Sequence, residues 1–196
     1  NRQFAVQDWF YQVNNIMHSM RNSPKANFAG QNFERWISMG AFGTGSLFID
    51  FMAGVGLRYR CVNLRDTFFL ENHQGIIDSV YRCFKHTARQ AAQRWGETNL
   101  PERVRKALEN PSRQNEHFEF LHVVAPRTDY DSGRADARGK PWASYYLSVP
   151  DKMLLAPEGG FTSFPYSIAR YVTAPEEVYG RSPAMTALAD IKMLNE

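Results

Sequence analysis

The chain has 196 residues, 43% of them hydrophobic and 22% charged, with a formal net charge of +3. That composition fits a globular domain and excludes a disordered, collagen-like or low-complexity polymer; the length suits one domain, 1–196. The two cysteines, Cys61 and Cys83, are too few for a disulfide scaffold or a four-cysteine zinc site, and no apolar run approaches the ~20 residues of a membrane helix.

The chain opens at Asn1 already inside a helical pattern. Val6, Trp9, Phe10, Val13, Ile16, Met17 and Met20 recur at i, i+3, i+4, i+7 spacing, which predicts an amphipathic helix turned towards a core. Its other side, with Gln3, Asp8, Gln12, Asn15 and Arg21, is too weakly cationic for a lipid surface. Ser23-Pro24 reads as an N-cap with proline at the first helical position. The helix it would open carries Phe33, Trp36, Ile37 and Ala41 on one face and ends at Gly43 and Gly45.

From Ser46 to Phe84 the period shifts towards strands: 47–49, 57–64, 67–70 and 76–84. Asn72-His73-Gln74-Gly75 is turn chemistry between the last two, so a hairpin is expected, with Gly75 in its turn. Thr87-Ala88-Arg89-Gln90 is a capping box, with Thr87 and Gln90 satisfying each other's backbone donors. The helix it opens should stop at Gly96, and another should run from Pro101 to Glu109. Strands are then expected at 116–125, 142–149, 152–156 and 166–173. Between the first two lies a solvated polar loop, 126–140, and Gly159-Gly160 reads as a tight turn. Ser182-Pro183 should cap a last helix, with Ala184, Leu188 and Ile191 on one side, cut off at Glu196. The sum is an α+β fold: N-terminal helices packed on mixed, mainly antiparallel strands, with short inserted helices. Both ends fall inside helical patterns, which reads as a segment of a longer chain.

Chemical motifs are mostly excluded. Gly43-Thr44-Gly45-Ser46 is followed by Leu47-Phe48 where a phosphate loop needs Lys-Ser/Thr, and Phe48 occupies the third glycine of a dinucleotide fingerprint. Asp129-Tyr130-Asp131-Ser132-Gly133 begins like a calcium loop, but Arg134 and Lys140 stand where glycine and glutamate are required. His18, His73, His86, His117 and His122 show no ligand spacing, and Cys61 and Cys83, in neighbouring strands, read as buried small hydrophobes. No catalytic, cofactor or metal residues are expected. One charged feature stands out: Arg82, Lys85, Arg89, Arg94, Arg103, Arg105 and Lys106 face only Glu97 and Glu102 within residues 81–106. Lys85, Arg89, Arg94, Arg103, Arg105 and Lys106 are candidates for phosphate or inter-subunit contacts.

The closing stretch, Tyr179-Gly180-Arg181-Ser182-Pro183-Ala184-Met185 with Ala189 to Asn195, resembles the head-to-tail connector, or portal, proteins of short-tailed bacteriophages. Trp36 through Gly43-Thr44-Gly45, Gly75 to Arg82, Thr87 to Gln90 and Phe164 to Tyr171 resemble the same family in the same order, so the likeness runs from about Ala26 onwards. The resemblance implies a structural virion protein rather than an enzyme: the mixed α/β wing of a dodecameric ring at a capsid vertex, assembled in the bacterial host cytoplasm. Genomic double-stranded DNA would pass through that ring, driven by a separate terminase, with capsid and tail proteins as further partners and no membrane. The stem and clip regions would lie mainly outside these residues, and contact remnants should show as apolar patches along the first helix and around Ala184, Leu188 and Ile191. Two other functions fit the residues alone: a free-standing nucleic-acid-binding module using 81–106, or a hydrolase with converging titratable groups in a deep pocket.

Overall fold

A computed structural model describes residues 2–194, with side chains from Phe4 onwards. Asn1, Asn195 and Glu196, which belong to the expected terminal helical patterns and closing motif, lie outside the described residues, as does the side chain of Gln3. In chain order the elements are α1 (Arg2–Asn22), α2 (Phe28–Phe42), β1 (Thr44–Met52), β2 (Gly56–Val62), β3 (Thr67–Glu71), β4 (Ile77–Thr87), α3 (Ala88–Trp95) and α4 (Glu102–Glu109). There follow β5 (His117–Pro126), β6 (Trp142–Ser148), β7 (Met153–Leu154), β8 (Gly159–Phe161), β9 (Tyr166–Arg170), α5 (Pro183–Thr186) and α6 (Leu188–Leu194). The class is α+β, and all the strand pairs are antiparallel. The chain forms two compact units, one from residues up to Leu64 together with those from Pro165, the other from Arg65–Phe164.

In the first unit the sheet order is β2-β1-β9. Leu47, Phe48, Val62 and Tyr166 are buried, with the Phe48 and Tyr166 rings 5.0 Å apart. The edge of β2 is closed by side chain and turn: Gln31 Oε1 of α2 accepts from the Cys61 N–H at 2.6 Å, and the Ala26 carbonyl accepts from Tyr59 N–H at 3.0 Å. Such closure keeps an edge from pairing with another chain.

In the second unit the sheet runs β3-β4-β5-β6-β7, with β8 also on β6. β5 alternates strictly: Phe118, Phe120, His122 and Val124 are buried, because successive side chains point to opposite faces. Trp95 of α3 meets Phe120 edge-on at 5.1 Å, and Leu100, Val104 and Ala107 complete the core. Thr87 Oγ1 accepts from Gln90 N–H at 3.2 Å while Gln90 Oε1 accepts from Thr87 N–H at 3.0 Å, and the helix ends at Gly96. In the β3–β4 hairpin Asn72 Oδ1 accepts from the N–H groups of Gln74 and Ile76, and Gly75 sits in the turn at φ 74°.

Several expectations are corrected. Ser23-Pro24 does not open α2. It forms a turn closed by Ala26 N–H on the Ser23 carbonyl at 3.0 Å, and a left-handed Asn27 (φ 53°) delays the helix to Phe28. Gly45 lies inside β1, not in the helix-ending turn; a Cβ there would come within 2.6 Å of the Arg35 carbonyl oxygen, so the strand passes tightly under α2. Gly159-Gly160 is not a tight turn but part of β8, opposite Ser144 and Ala143. The last helix is two short pieces meeting at Ala187 (ψ 0°). Cys61 and Cys83 lie in different sheets, Cys61 half-buried and Cys83 exposed. Above all, the apolar faces of α1 and α2 do not turn to a core: Trp9 is 58% and Trp36 59% exposed.

Candidate assembly surface

The end of α2 and the closing segment of the first unit meet. α2 ends at Gly43, whose φ of 78° is the left-handed cap conformation and whose N–H bonds the Met39 carbonyl. Here the closing segment returns. Tyr171 N–H donates to the Gly43 carbonyl at 2.8 Å, and Gly180 N–H to Thr44 Oγ1 at 2.8 Å. Gly43 and Gly180 pass so close that a Cβ on either would overlap the other's carbonyl oxygen. Ser182 Oγ donates to the Ala41 carbonyl at 2.8 Å and accepts from Met185 N–H at 2.9 Å, so it caps α5 while holding it to the end of α2. Pro183 follows at the first helical position, where no N–H is needed.

The outer side of this unit is apolar. Phe10, Ile16 and Met17 of α1 are exposed, as are Phe33, Trp36 and Ile37 of α2 and Leu188 and Ile191 of α6; Ala184 is exposed beside them. Large solvent-facing apolar patches are uncommon on monomers and mark contact sites.

The basic segment is largely neutralised by its own unit. Lys85 pairs with Glu119 at 3.1 Å across β4 and β5, and Lys106 with Glu102 at 2.7 Å within α4, which holds Lys106 above and Glu102 below their ordinary pKa values. Arg103 Nε donates to both oxygens of Asp151, at 3.0 and 2.8 Å, and Ser148 Oγ donates to the same carboxylate. Arg94 lies over the Tyr146 ring at 4.5 Å. Arg82 is buried, its guanidinium 5.1 Å from the Phe84 centroid. Of the six candidates, Arg89 and Arg105 are exposed and make no close ion pair among the described residues, although Arg105 lies near enough to Glu102 to help lower its pKa.

No converging titratable site forms from the five histidines. His122 is buried on β5, bonded to Ser144 Oγ at 3.0 Å and stacked on Tyr146 at 4.2 Å. Burial first, then Arg82 and Arg94, hold its pKa well below the ordinary 6.5. His117, an odd number of residues away, faces the other side and is exposed. Among the described residues no group of three His, Cys, Asp or Glu side chains could hold a metal ion, and no helix is long and apolar enough to cross a membrane.

The profile of the bacteriophage head to tail connecting protein family matches residues 1–196. The chain belongs to that family. It is 30% identical over 191 residues to the portal protein of Salmonella phage epsilon15, covering 96% of this chain and 34% of the relative. It is 27% identical over 193 residues to the probable portal protein of Bordetella phage BPP-1, covering 97% of this chain and 34% of the relative. The chain thus spans about a third of the length of the curated relatives it matches.

In this connector-family chain the spacing of residues marks the caps at Thr87 and Ser182 and the turn at Gly75, fails at Ser23-Pro24, Gly45 and Gly159-Gly160, and misses the charged network. Glu119 and Asp151, which neutralise Lys85 and Arg103, lie outside the 81–106 segment and reach it only through strand pairing and the β6–β7 turn. Arg127 was hidden in the polar loop. Its side chain is 2% exposed and bonds Glu158, Asp129 at 3.2 Å and the Lys140 carbonyl at 3.2 Å. Arg134 beside Asp136 draws that carboxyl down to about 2. The loop is therefore pinned by ion pairs rather than merely solvated.

Proposed function

We propose that residues 1–196 are a wing-type segment of a phage portal, the ring at a capsid vertex through which genomic DNA is packaged and ejected. The family match over all 196 residues carries the reading. The exposed apolar faces of α1, α2 and α6 support it, since a ring subunit needs surface for its neighbours. The role is structural rather than enzymatic. The assembly is a dodecamer formed in the bacterial cytoplasm and retained in the virion, with terminase, capsid and tail proteins as partners of the whole protein. DNA would be met by sequence-independent electrostatics, because base-edge readout would impede sliding.

A free-standing nucleic-acid module is disfavoured by the pairing of Lys85, Arg103 and Lys106 with carboxylates, which leaves little charge to release counterions. Negative-stain imaging of the assembled protein tests the portal reading. Rings with a central hole are expected; a population of isolated single subunits overturns it.

A further inference from the structure

α2 sits on its sheet the wrong way round. Gln31, Arg35 and Ser38 share its sheet-facing side: Gln31 bonds the Cys61 N–H at 2.6 Å, and the Arg35 backbone packs on Gly45. Phe33, Trp36 and Ile37 stand on the solvent side. A lone amphipathic helix gains by burying its apolar side, so this orientation suits a helix sandwiched between its own sheet and a second body. α1 presents a matching half. Val6, Val13 and Met20 recur every seven residues, flanked by Trp9 and Ile16, with Phe10 beside them, and all but Val13 are exposed. That repeat makes a seam wide enough to lie on another helix. Between Phe4 and Met20 the only charged residue is Asp8.

We propose that these faces are the two halves of one contact between copies of this chain: the α1 stripe of one copy lies on the outward α2 face of the next. The inference rests on the portal reading, in which each subunit of a closed ring offers two different surfaces. The area is close to what such a contact needs. Eight exposed apolar side chains stand on the two faces; four are aromatics, each able to bury on the order of 150 Å², and with the four aliphatic ones they approach the roughly 1,000 Å² of a specific interface. The shape is also suitable: a Cβ on Gly40, one turn from Trp36 and Ile37, would meet nothing within 4 Å, leaving a notch in the α2 face for an incoming knob. A lipid surface is a poorer occupant, because membrane-lying helices carry Lys and Arg beside the apolar stripe, and α1 has none between Phe4 and Met20.

The test uses two variants of the 196-residue chain, Phe10→Glu and Trp36→Glu. Both side chains are about 60% exposed, so folding is preserved, and unchanged circular dichroism and melting check this. Sedimentation is measured from micromolar to near-millimolar concentration for the parent, each variant and an equimolar mixture. The parent is expected to self-associate, each variant to do so at least about tenfold more weakly, and the mixture to form dimers and nothing larger. Each mixed pair retains one intact α1 stripe and one intact α2 face. A parent that stays monomeric, a variant that associates as tightly as the parent, or a mixture no larger than its components overturns the contact and favours coverage of these faces by something other than a second copy. Imaging separates the two readings. Rings unaffected by both substitutions overturn the α1–α2 contact and leave the portal reading standing, whereas a protein that forms no rings at all overturns the portal reading.

Discussion

Ser182 and Ala41 are 141 residues apart in sequence, yet the Ser182 hydroxyl donates to the Ala41 carbonyl at 2.8 Å. The same oxygen accepts from Met185 N–H, so one side chain serves as N-cap of α5 and as tie to the last turn of α2. A carbonyl at a helix C-terminus and an N–H at a helix N-terminus both lack intrahelical partners. A hydroxyl, able to donate and accept at once, satisfies both.

Ser182→Ala removes both bonds from a residue that is 1% exposed. Loss of the cap costs about 1 kcal/mol, and the unmatched Ala41 carbonyl brings the expected total to roughly 1–2 kcal/mol. Pro183→Ala should cost less, because proline contributes only a preset φ there. Urea denaturation of the three proteins checks the order; an unchanged midpoint for Ser182→Ala would refute the double role.

Thr44 tests the other end of the clasp. It is fully buried, and its Oγ1 receives the Gly180 N–H. Thr44→Val keeps the shape and removes the acceptor, stranding a buried donor at about 1–3 kcal/mol. Thr44→Ser keeps the hydroxyl and should recover most of that loss. If serine is no better than valine by thermal melting, the bond does not hold the segment.

Much of this was legible in the residues. Thr87 with Gln90, Asn72 with Gly75 and Ser182 with Pro183 each act within a few residues, so spacing reveals them; Ser23-Pro24 and Gly159-Gly160 carry the same local signals, but a left-handed Asn27 and the pairing with β6 override them. The direction of a helix face is not local. The i, i+3, i+4 recurrence in α1 and α2 shows that a face is apolar, not which body covers it. For α2 a signal was present in Gln31, Arg35 and Ser38, whose own spacing forms a second face fit for hydrogen bonding to a strand edge. Glu119 and Asp151 could not be paired with Lys85 and Arg103 from spacing, because a β-ladder and a turn bring them together.

His122 should make stability depend on pH. Its folded pKa lies below the ordinary 6.5 because of burial, then Arg82 and Arg94. Below pH 6.5 the unfolded chain therefore binds a proton that the folded chain refuses. Stability is fully present above 6.5 and is lost as pH falls from there towards the folded pKa, with a slope approaching about 1.4 kcal/mol per pH unit. Chemical denaturation between pH 7 and 5, before most carboxylates titrate, should show this slope in the parent and a flatter one in His122→Gln. Equal slopes would mean that His122 is protonated without cost.

Duplex DNA binding by the 196-residue chain should be weak and indifferent to sequence. With Arg89 and Arg105 as the exposed cations of the basic segment outside any close ion pair, log K should fall with log salt at a slope near −2, about −0.9 per neutralised phosphate. The double variant Arg89→Ala/Arg105→Ala should flatten that slope. Labelled duplexes of unrelated sequence, titrated at two salt concentrations, provide the measurement; a steep slope or a sequence preference would point to a dedicated DNA site.

Arg127 should govern the loop that it anchors. Its buried guanidinium reaches Glu158 and Asp129 together with the Lys140 and Gly159 carbonyls. Tyr145 adds its hydroxyl to Glu158 at 3.0 Å, and Arg138 pairs with Asp129 at 3.2 Å. Only a planar fork of five donors can satisfy partners in so many directions. Lysine has a single ammonium and cannot span them. Arg127→Lys should therefore leave acceptors unmatched and release the segment between Pro126 and Lys140, while the Trp95–Phe120 core stays intact. Limited trypsin digestion reads this directly, since Arg134 and Arg138 lie in the loop and are held there by Asp136 and Asp129. The parent should resist cleavage at both, and Arg127→Lys should be cut several-fold faster, with little change in near-ultraviolet circular dichroism from the core. Cleavage at equal rates would show that the local Arg134–Asp136 and Arg138–Asp129 pairs suffice to order the loop without its buried anchor.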